Sequence, residues 1–223
     1  MNGGPRLVLL GKQGAGKGTQ ASRLADHRDV PHFSTGDLFR AEAKEGTPAG
    51  LEAESYMNRG ELVPDDVVVG VVEEQFRRGV FDKGFVLDGF PRTEYQALEL
   101  DRVLNGQPLD LVATLDVPTE IALARLAGRR VCEDCGTVYH IDHPPTNKWT
   151  CDECGGHVVQ REDDTEAAIE RRLELYEREM LPIVQHYRRQ RRLVVVDGVG
   201  TGDEVAARLA AAIEARVGQN PGK

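Results

Sequence analysis

A glycine-rich loop with an embedded lysine follows the first apolar run of the chain. Residues 11–20 read GKQGAGKGTQ, directly after the apolar residues 7–10. Glycines lack the Cβ atoms that would keep backbone N–H groups away from an anion, and a following helix N-terminus adds a favourable dipole. Lys17 supplies a cation for phosphate oxygens at P-loop spacing, although Gly18 and Thr19 replace the usual Ser or Thr after the lysine. The strand-to-helix context favours a phosphate site over a merely flexible loop.

An aspartate ends another apolar run, in residues 85–92, which read FVLDGFPR. A carboxylate at the end of a buried strand can hold water ligands of a Mg²⁺ ion that bridges phosphates. A cap for the following turn is the alternative interpretation of an isolated aspartate. Because a phosphate loop lies upstream, we favour the magnesium role for Asp88.

Arginines accumulate at the edges of these motifs, at Arg40, Arg92, Arg125, Arg129, Arg161 and Arg172. Taken singly, each fits the interpretation of a solvated surface residue. Guanidinium groups, however, form forked hydrogen bonds with phosphate, and several can spread the charge of a transferring phosphoryl group. Arg172 lies beside an apolar helical stripe, from which it can reach a cleft. With no Ser-His-Asp or catalytic-cysteine arrangement in the sequence, the residue types favour phosphoryl transfer.

All four cysteines belong to one candidate site. They form two Cys-x-x-Cys pairs separated by fifteen residues: Cys132, Cys135, Cys151 and Cys154. This spacing is typical of a four-thiolate zinc site in which each pair makes one knuckle. Two disulfides are the alternative, which a reducing cytosol disfavours. Four sulfur ligands fill the coordination sphere of zinc, so we predict one structural ion rather than a catalytic one.

Five continuous apolar segments carry strand signals, over residues 7–10, 31–34, 85–87, 111–117 and 193–196. Continuous rather than alternating apolar residues are typical of parallel strands covered by helices on both faces. We therefore predict a doubly wound α/β fold with a five-stranded parallel sheet, whose ligands bind beyond the carboxyl ends of the strands. Two stretches look inserted: a helical one over residues 35–63 and a cysteine-bearing one over 128–164. A helix is expected from Thr165 and a loose tail after Arg216.

The bulk composition limits the partners of the protein. A net charge of −9 and an aromatic content of 5% over 223 residues argue against binding to nucleic acid or to an anionic membrane. No apolar run approaches the ~20 residues of a membrane span, and the first run is too short for a signal peptide. We expect a cytoplasmic monomer. A zinc-ribbon module for nucleic acid and a metal-stapled structural protein are the disfavoured alternatives.

Together the motifs resemble those of adenylate kinase, in the long bacterial form with a zinc-binding lid. The matching stretches are residues 14–20, 34–37, 88–93, 128–130 and 161–164. The resemblance implies a P-loop nucleoside monophosphate kinase fold with a core over 1–33, 64–127 and 165–223, an AMP-binding arm over 34–63 and a lid over 128–164. It implies the Mg²⁺-dependent reaction ATP + AMP ⇌ 2 ADP. A sister kinase with GTP as donor or a pyrimidine monophosphate as acceptor is the alternative.

The resemblance also implies where the two nucleotides bind. ATP is expected against Gly14, Ala15, Gly16, Lys17, Gly18, Thr19, Arg125, Arg129, Val138, Tyr139 and Gly200. AMP is expected against Thr35, Arg40, Glu61, Leu62, Val63, Gly89, Phe90, Pro91, Arg92, Gln96, Arg161 and Arg172, with Thr35 and Gln96 favouring adenine. The implied catalytic group comprises Lys17, Asp88, Arg92, Arg125, Arg129, Arg161 and Arg172. By the same resemblance, Asp163 and Asp164 anchor the lid, while Gln13 and Glu61 depart from the family pattern and contribute mainly backbone.

Overall fold

The computed structural model describes residues 4–217. Its strands are β1 (Arg6–Gly11), β2 (His32–Ser34), β3 (Phe85–Asp88), β4 (Leu111–Asp116), β5 (Arg129–Cys132), β6 (Val138–His140), β7 (Val158–Val159) and β8 (Leu193–Asp197). Its helices are α1 (Lys17–Arg28), α2 (Thr35–Lys44), α3 (Pro48–Asn58), α4 (Asp65–Arg77), α5 (Glu94–Val103), α6 (Thr119–Gly128), α7 (Glu166–Arg189) and α8 (Gly202–Val217). The tail expected to be loose lies outside the described residues from position 218 on.

A five-stranded parallel sheet in the order β2-β3-β1-β4-β8 forms the centre of the fold, which confirms the predicted α/β class. Leu9 of β1 pairs with Asp88 of β3 on one side and with Ala113 of β4 on the other. After β1 the chain goes to the edge strand β2 and returns to β3 on one side of β1, and then continues to β4 and β8 on the other side. This reversal of direction creates a crevice at the carboxyl end of β1, where such sheets bind ligands.

Apolar clusters cover both faces of this sheet. Leu7 and Leu9 of β1 belong to the cluster on one face, and Val8 and Leu10 belong to the cluster on the other. The central strands β1, β3 and β4 are buried along nearly all of their length, whereas the edge strands β2 and β8 are partly exposed. Burial on two faces is therefore the reason for the continuous apolar runs in the sequence.

The two stretches that look inserted have different architectures. The arm segment (residues 34–63) contains α2 and α3. Ser34 Oγ caps α2 by accepting a hydrogen bond from Asp37 N at 3.2 Å, and Thr47 Oγ1 caps α3 by accepting from Gly50 N at 3.0 Å. The lid segment (residues 128–164) contains the small antiparallel sheet β6-β5-β7. Its apolar cluster comprises little more than two cysteines, Val158 and the packed ring of Tyr139, which is too small a core to hold it firmly.

Helix α7 begins after Thr165, as predicted, and follows the lid segment directly. Thr165 Oγ1 caps it by accepting a hydrogen bond from Ala168 N at 3.2 Å. Ile169 and Leu173 on its buried stripe pack with Leu126 of α6, so both ends of the lid segment are attached to packed helices. Among residues 4–217, no helix combines the length and the apolar character needed to cross a bilayer.

Substitution of Leu9 by alanine is expected to lower the free energy of unfolding by about 2–5 kcal/mol, because it leaves a cavity in the central strand. Leu9 is 1% exposed, whereas Leu98 on α5 is 51% exposed. Leu98→Ala is therefore the control and should change the stability by about 0.5 kcal/mol or less. Urea unfolding of both variants measures the difference. Equal effects would contradict the central position of β1.

Candidate active site

The loop after β1 forms an open cradle at the carboxyl edge of the sheet. Gly14 and Gly16 have φ values of 81° and 93°, in the left-handed region that favours glycine. A Cβ atom on Gly14 would lie 2.5 Å from the carbonyl oxygen of Ala122, whereas one on Gly16 would meet nothing within 4 Å. Within the described chain no side chain caps the start of α1 at Lys17. Its first N–H groups are consequently available to an anion.

Lys17 and Asp88 face each other across the floor of this cradle. The Lys17 ammonium donates a hydrogen bond to Lys12 O at 3.1 Å. Burial lowers the pKa of Lys17 to about 8, against the opposing effect of the Asp88 carboxylate. A Cβ atom on Gly18 would lie 3.3 Å from Asp88 Oδ2. The glycine that replaces the usual Ser or Thr therefore allows close approach of the α1 backbone to Asp88.

Two adjacent, buried aspartates at the end of the lid segment hold two arginines in the cleft. Asp164 accepts two hydrogen bonds from Arg129, the one from Nε at 2.7 Å. Asp163 Oδ2 accepts from Arg172 Nη2 at 2.6 Å, and the same nitrogen donates to Met57 O at 2.7 Å. Burial alone would raise the pKa of Asp163, but the guanidinium groups around it, Arg172 first, outweigh burial and lower it. Asp163 is thus an ionised counterion of Arg172, and Asp164 fixes Arg129 through its two hydrogen bonds.

Arg40 and Arg161 share a third carboxylate, that of Asp37. Arg161 Nη2 lies 3.2 Å from Asp37 Oδ1, and Arg40 pairs with the same oxygen. Burial opposes the ionisation of Asp37, but Arg40 and then Arg161 lower its pKa to about 2. Burial and the nearby Arg40 lower the pKa of Arg161 to about 10. The low carboxyl pKa and the low guanidinium pKa show how closely like charges are gathered here.

The cleft therefore has a positive excess in a protein whose net charge is −9. Arg92 extends from the turn after β3, where Gly89 O accepts a hydrogen bond from its Nε at 2.8 Å. Desolvation lowers the pKa of Arg92, Asp88 opposes this effect, and Arg172 and Arg40 add to it. The structure brings together most of the basic residues that the sequence predicts for the site, namely Lys17, Arg40, Arg92, Arg129, Arg161 and Arg172. Such a group suits a ligand with several phosphate charges.

A pocket opens beside these arginines, between the arm segment and the turn after β3. Its lining includes the predicted residues Thr35, Glu61, Leu62, Val63, Gly89, Arg92 and Gln96. Phe90 and Pro91 are buried and do not line it. The sequence analysis missed the further lining residues Gly36, Phe39, Met57 and Val68. The sequence could have indicated Phe39, because this residue follows Thr35 by one turn of α2 and so lies on the same helix face.

Arg125 lies apart from the other arginines of the site. It donates from Nη2 to Gly198 O at 3.1 Å and to Gly200 O at 3.3 Å, and from Nη1 to Ala15 O at 3.4 Å. Arg125 therefore ties the loop between β8 and α8 to the phosphate cradle. Thr19 is exposed on α1 beside this region.

The four cysteine sulfurs in the lid segment lie within 4.8 Å of one another. The Cys132–Cys154 and Cys135–Cys151 sulfur pairs are each 3.5 Å apart, far beyond the ~2.05 Å of a disulfide. Tetrahedral zinc with Zn–S bonds of about 2.3 Å places its sulfurs about 3.8 Å apart. The sulfur positions thus fit a closed four-thiolate metal site and not the disulfide alternative.

Matching backbone turns present these sulfurs. Gly136 N donates to Cys132 O at 3.1 Å, and Gly155 N donates to Cys151 O at 2.9 Å. Both glycines have positive φ, 75° and 78°, which ends each turn tightly. Tyr139 OH accepts from Asp152 N at 2.8 Å and contacts Cys151 Sγ at 3.4 Å. Its hydrogen bond lowers the pKa of the Cys151 thiol to about 6, which favours the thiolate that binds metal.

The side chains of the two lid residues that are predicted to contact ATP have different surroundings. Val138 is exposed on β6. The Tyr139 hydroxyl is engaged at the cysteine cluster, which leaves the Tyr139 backbone for a nucleotide. The sequence did not indicate this orientation, because it depends on the pairing of β6 with β5.

The Gln13 side chain is a second feature that the sequence analysis missed. In the orientation that satisfies both ends of the amide, its oxygen accepts from Arg172 Nη1 at 2.8 Å and from Arg129 Nη2 at 3.3 Å. The expectation that Gln13 contributes mainly backbone is therefore too narrow. Its side chain connects the phosphate loop with the arginines that Asp163 and Asp164 hold.

The arm segment and the lid segment touch across the cleft. Lys44 Nζ donates to Glu133 O at 3.1 Å and lies 3.6 Å from Asp134 Oδ1. The ion pair of Arg161 with Asp37 crosses the same gap. The lid's apolar cluster contains no residue of the arm, so polar side chains make this contact.

Comparisons with known proteins agree with this geometry. The family model described as adenylate kinase matches residues 9–192. The adenylate kinase of Thermodesulfovibrio yellowstonii is 47% identical over 212 residues, which cover 94% of this chain and 99% of the relative. That of Syntrophobacter fumaroxidans is 47% identical over 208 residues, covering 92% and 98%. That of Clostridium perfringens strain SM101 is 46% identical over 203 residues, covering 90% and 94%.

Substitution of Asp163 by asparagine should lower the free energy of unfolding by about 3–5 kcal/mol at pH 7, because it removes the carboxylate closest to the buried Arg172. Since folding lowers the pKa of Asp163 from its ordinary 3.8, its contribution is complete above pH 3.8 and is lost as the pH falls through the folded-state value. The effect of Asp163→Asn should thus shrink at pH 3.

Urea unfolding at pH 7 and pH 3 measures both quantities. Asp203→Asn, which removes an exposed partner of Arg23, is the control and should have little effect at either pH. An Asp163→Asn effect of the same size at both pH values would contradict an ionised, paired Asp163.

Proposed function

Because the chain belongs to the adenylate kinase family, we propose that the residues gathered at the carboxyl edge of its sheet carry that family's reaction. The protein is a nucleoside monophosphate kinase that transfers a phosphoryl group reversibly from Mg-ATP to AMP and gives two ADP. One observation supports the site assignment above the others. Arg92 lines the pocket of the arm segment and interacts electrostatically with Lys17 of the cradle and with Arg172 and Arg40 of the guanidinium cluster.

In this proposal the donor ATP occupies the cradle after β1. Its phosphates accept hydrogen bonds from the loop and the first turn of α1, at Gly14, Ala15, Gly16, Lys17, Gly18 and Thr19. Asp88, at the end of β3, holds water ligands of the Mg²⁺ that accompanies the nucleotide. The donor base lies near Arg125, Gly200 and the lid residues Val138 and Tyr139. Arg125 already joins the Gly200 loop to the cradle, which fixes the two parts of this subsite relative to each other.

The acceptor AMP occupies the pocket of the arm segment. Its base lies against Thr35, Gln96 and the backbone of residues 61–63, with Phe39, Met57 and Val68 as apolar walls. Its phosphate lies between Arg40 and Arg92 at the mouth of the pocket. Gly89 supports this end of the pocket, because its carbonyl accepts hydrogen bonds from both Thr35 Oγ1 and Arg92 Nε.

Catalysis in this arrangement consists of positioning and electrostatic stabilisation. An oxygen of the AMP phosphate attacks the γ-phosphorus of ATP, and the bond from that phosphorus to the β–γ bridging oxygen breaks. The attacking oxygen already carries negative charge, so the site needs no general base. Lys17, Arg129, Arg161 and Arg172 stabilise the charge that spreads over the transferring group. Binding of the phosphates also relieves the mutual repulsion of these cations.

We propose zinc as the metal of the four-cysteine site, in a structural role. Cys132, Cys135, Cys151 and Cys154 would supply the complete tetrahedral ligand set. Zinc bound there would cross-link the two knuckles and replace the apolar core that the lid segment lacks. It leaves no open position from which to polarise a phosphate.

We further propose that the arm segment and the lid segment move as units against a core formed by residues 1–33, 64–127 and 165–223. Closure of the lid excludes water, which would otherwise hydrolyse ATP. The enzyme would act as a monomer on free nucleotides in the cytoplasm, without nucleic acid or a membrane as partner. The net charge of −9 supports this, because it disfavours polyanionic surfaces.

Lys17→Met and Arg92→Ala should impair the enzyme in different ways. Lys17 lies where the transferring phosphoryl group is bound, so its loss should lower kcat by about 100-fold or more. Arg92 lies at the mouth of the acceptor pocket, so its loss should raise the KM for AMP by about tenfold or more. A coupled assay of ADP production measures both constants. Arg77→Ala, an exposed residue of α4, is the control. Near-normal turnover of Lys17→Met would refute the assignment of the cradle.

Removal of zinc should lower the Tm and increase hydrogen exchange in residues 128–164, while the core keeps its secondary structure. At low temperature with Mg²⁺ supplied, the metal-free enzyme should retain most of its turnover, because the metal contacts no reacting group. Cys135→Ser should reproduce the lower Tm without a chelator. Elemental analysis that finds no bound metal, or loss of all activity while the lid segment is demonstrably folded, would contradict the structural role.

A further inference from the structure

The amide of Gln96 is held from two sides. Gln96 is 1% exposed and lines the pocket of the arm segment. Its Oε1 accepts a hydrogen bond from Arg92 N at 2.7 Å, and its Nε2 donates to Asp65 Oδ1 at 2.7 Å. One donor hydrogen and one acceptor lone pair of the amide remain for a ligand in the pocket.

Asp65 connects the start of α4 with the start of α5. It is the first residue of α4, and its second oxygen, Oδ2, accepts from Thr93 Oγ1 at 2.9 Å. Thr93 caps α5 and accepts from Gln96 N at 3.2 Å. Two helices that are distant in the sequence therefore fix the Asp65 carboxylate beside the Gln96 amide.

The two partners of Gln96 allow one orientation of its amide. The N–H of Arg92 can only donate, and both oxygens of the Asp65 carboxylate accept, one from Gln96 Nε2 and one from Thr93 Oγ1. Rotation of the amide by 180° would set its NH₂ group against a donor and its oxygen against a carboxylate. Because Gln96 is 1% exposed, these unfavourable contacts would be buried, so the reversed orientation is disfavoured.

We propose that Asp65 is a positioning residue for the choice of the acceptor base, and this inference rests on the proposed AMP pocket. Adenine presents an amino donor beside a ring-nitrogen acceptor, which match the free oxygen and the free N–H of Gln96. A 6-oxo purine presents the reverse pattern, a carbonyl acceptor beside a ring N–H. A freely rotating amide satisfies both bases, whereas an amide locked by Asp65 satisfies adenine alone. Asp65 thus excludes 6-oxo purine monophosphates without contacting the base.

Asp65→Asn tests this role with almost no change of shape. The asparagine amide can accept or donate, so both orientations of Gln96 find a partner at position 65. The measurement is kcat/KM for AMP and for inosine monophosphate, whose base has a 6-oxo group in place of the amino group of adenine. We expect the AMP-to-IMP ratio of kcat/KM to fall by about tenfold or more, since sites that hydrogen-bond a substrate discriminate strongly. The Arg92 N–H still favours the original orientation, so some preference for AMP should persist.

Asp66→Asn is the matched control, because it removes the same charge from the same turn of α4 at an exposed position. Its ratio should equal that of the wild type. Both acceptors are measured on one preparation, so the ratio is independent of the folded fraction. An unchanged ratio in Asp65→Asn, or an equal loss for both acceptors, would overturn the proposal. If Gln96→Ala leaves kcat/KM for AMP unaltered, the assignment of the pocket to AMP is wrong. This variant therefore distinguishes a failure of the pocket assignment from a failure of the role proposed for Asp65.

Discussion

The structure depends on one constraint: several positively charged guanidinium groups must be held close together. A site for the phosphates of two nucleotides needs several guanidinium groups within one cleft, and these groups repel one another when no phosphate is bound. Asp163 and Asp164 counter this repulsion because they are buried and paired with Arg172 and Arg129. Burial alone would raise the pKa of Asp163, so this aspartate depends on Arg172 as much as the arginine depends on it. The cleft therefore keeps its shape through pairs that contain no substrate atom.

These ion pairs also lie where the core meets the lid segment and the arm segment. Arg129 is the first residue of β5 and Asp164 lies near the end of the lid segment, so their ion pair closes the base of that segment. Arg172 lies on α7 and reaches the arm segment at Met57 O. The arginines proposed to stabilise the phosphates are consequently also residues that join the core to the arm segment and the lid segment. A substitution of one of these arginines should therefore affect both the proposed phosphate binding and the attachment of the arm and lid segments to the core.

Local features of the site could be predicted from the sequence, and long-range ones could not. The continuous apolar runs fixed the strands, the spacing of the cysteines predicted their cluster, and Thr165 marked the start of α7. Each of these signals lies within a few residues of the feature that it predicts. The contacts of Gln13 and Asp65 depend instead on how separate helices pack. The same reason applies to the walls of the pocket, since Phe39, Met57 and Val68 come from three different helices.

The contact between the arm and the lid has a consequence for the speed of the enzyme. Lys44 and Asp134 are 65% and 63% exposed in their side chains, and an ion pair in water of this kind is worth about 0–1 kcal/mol. This one pair would shift the balance between closed and open clefts, in the lid closure proposed above, by about fivefold at most. In that proposal it would therefore do little to delay the departure of two ADP molecules after transfer. A tighter, apolar contact between the two segments would retain the bound nucleotides and slow both the forward and the reverse reaction.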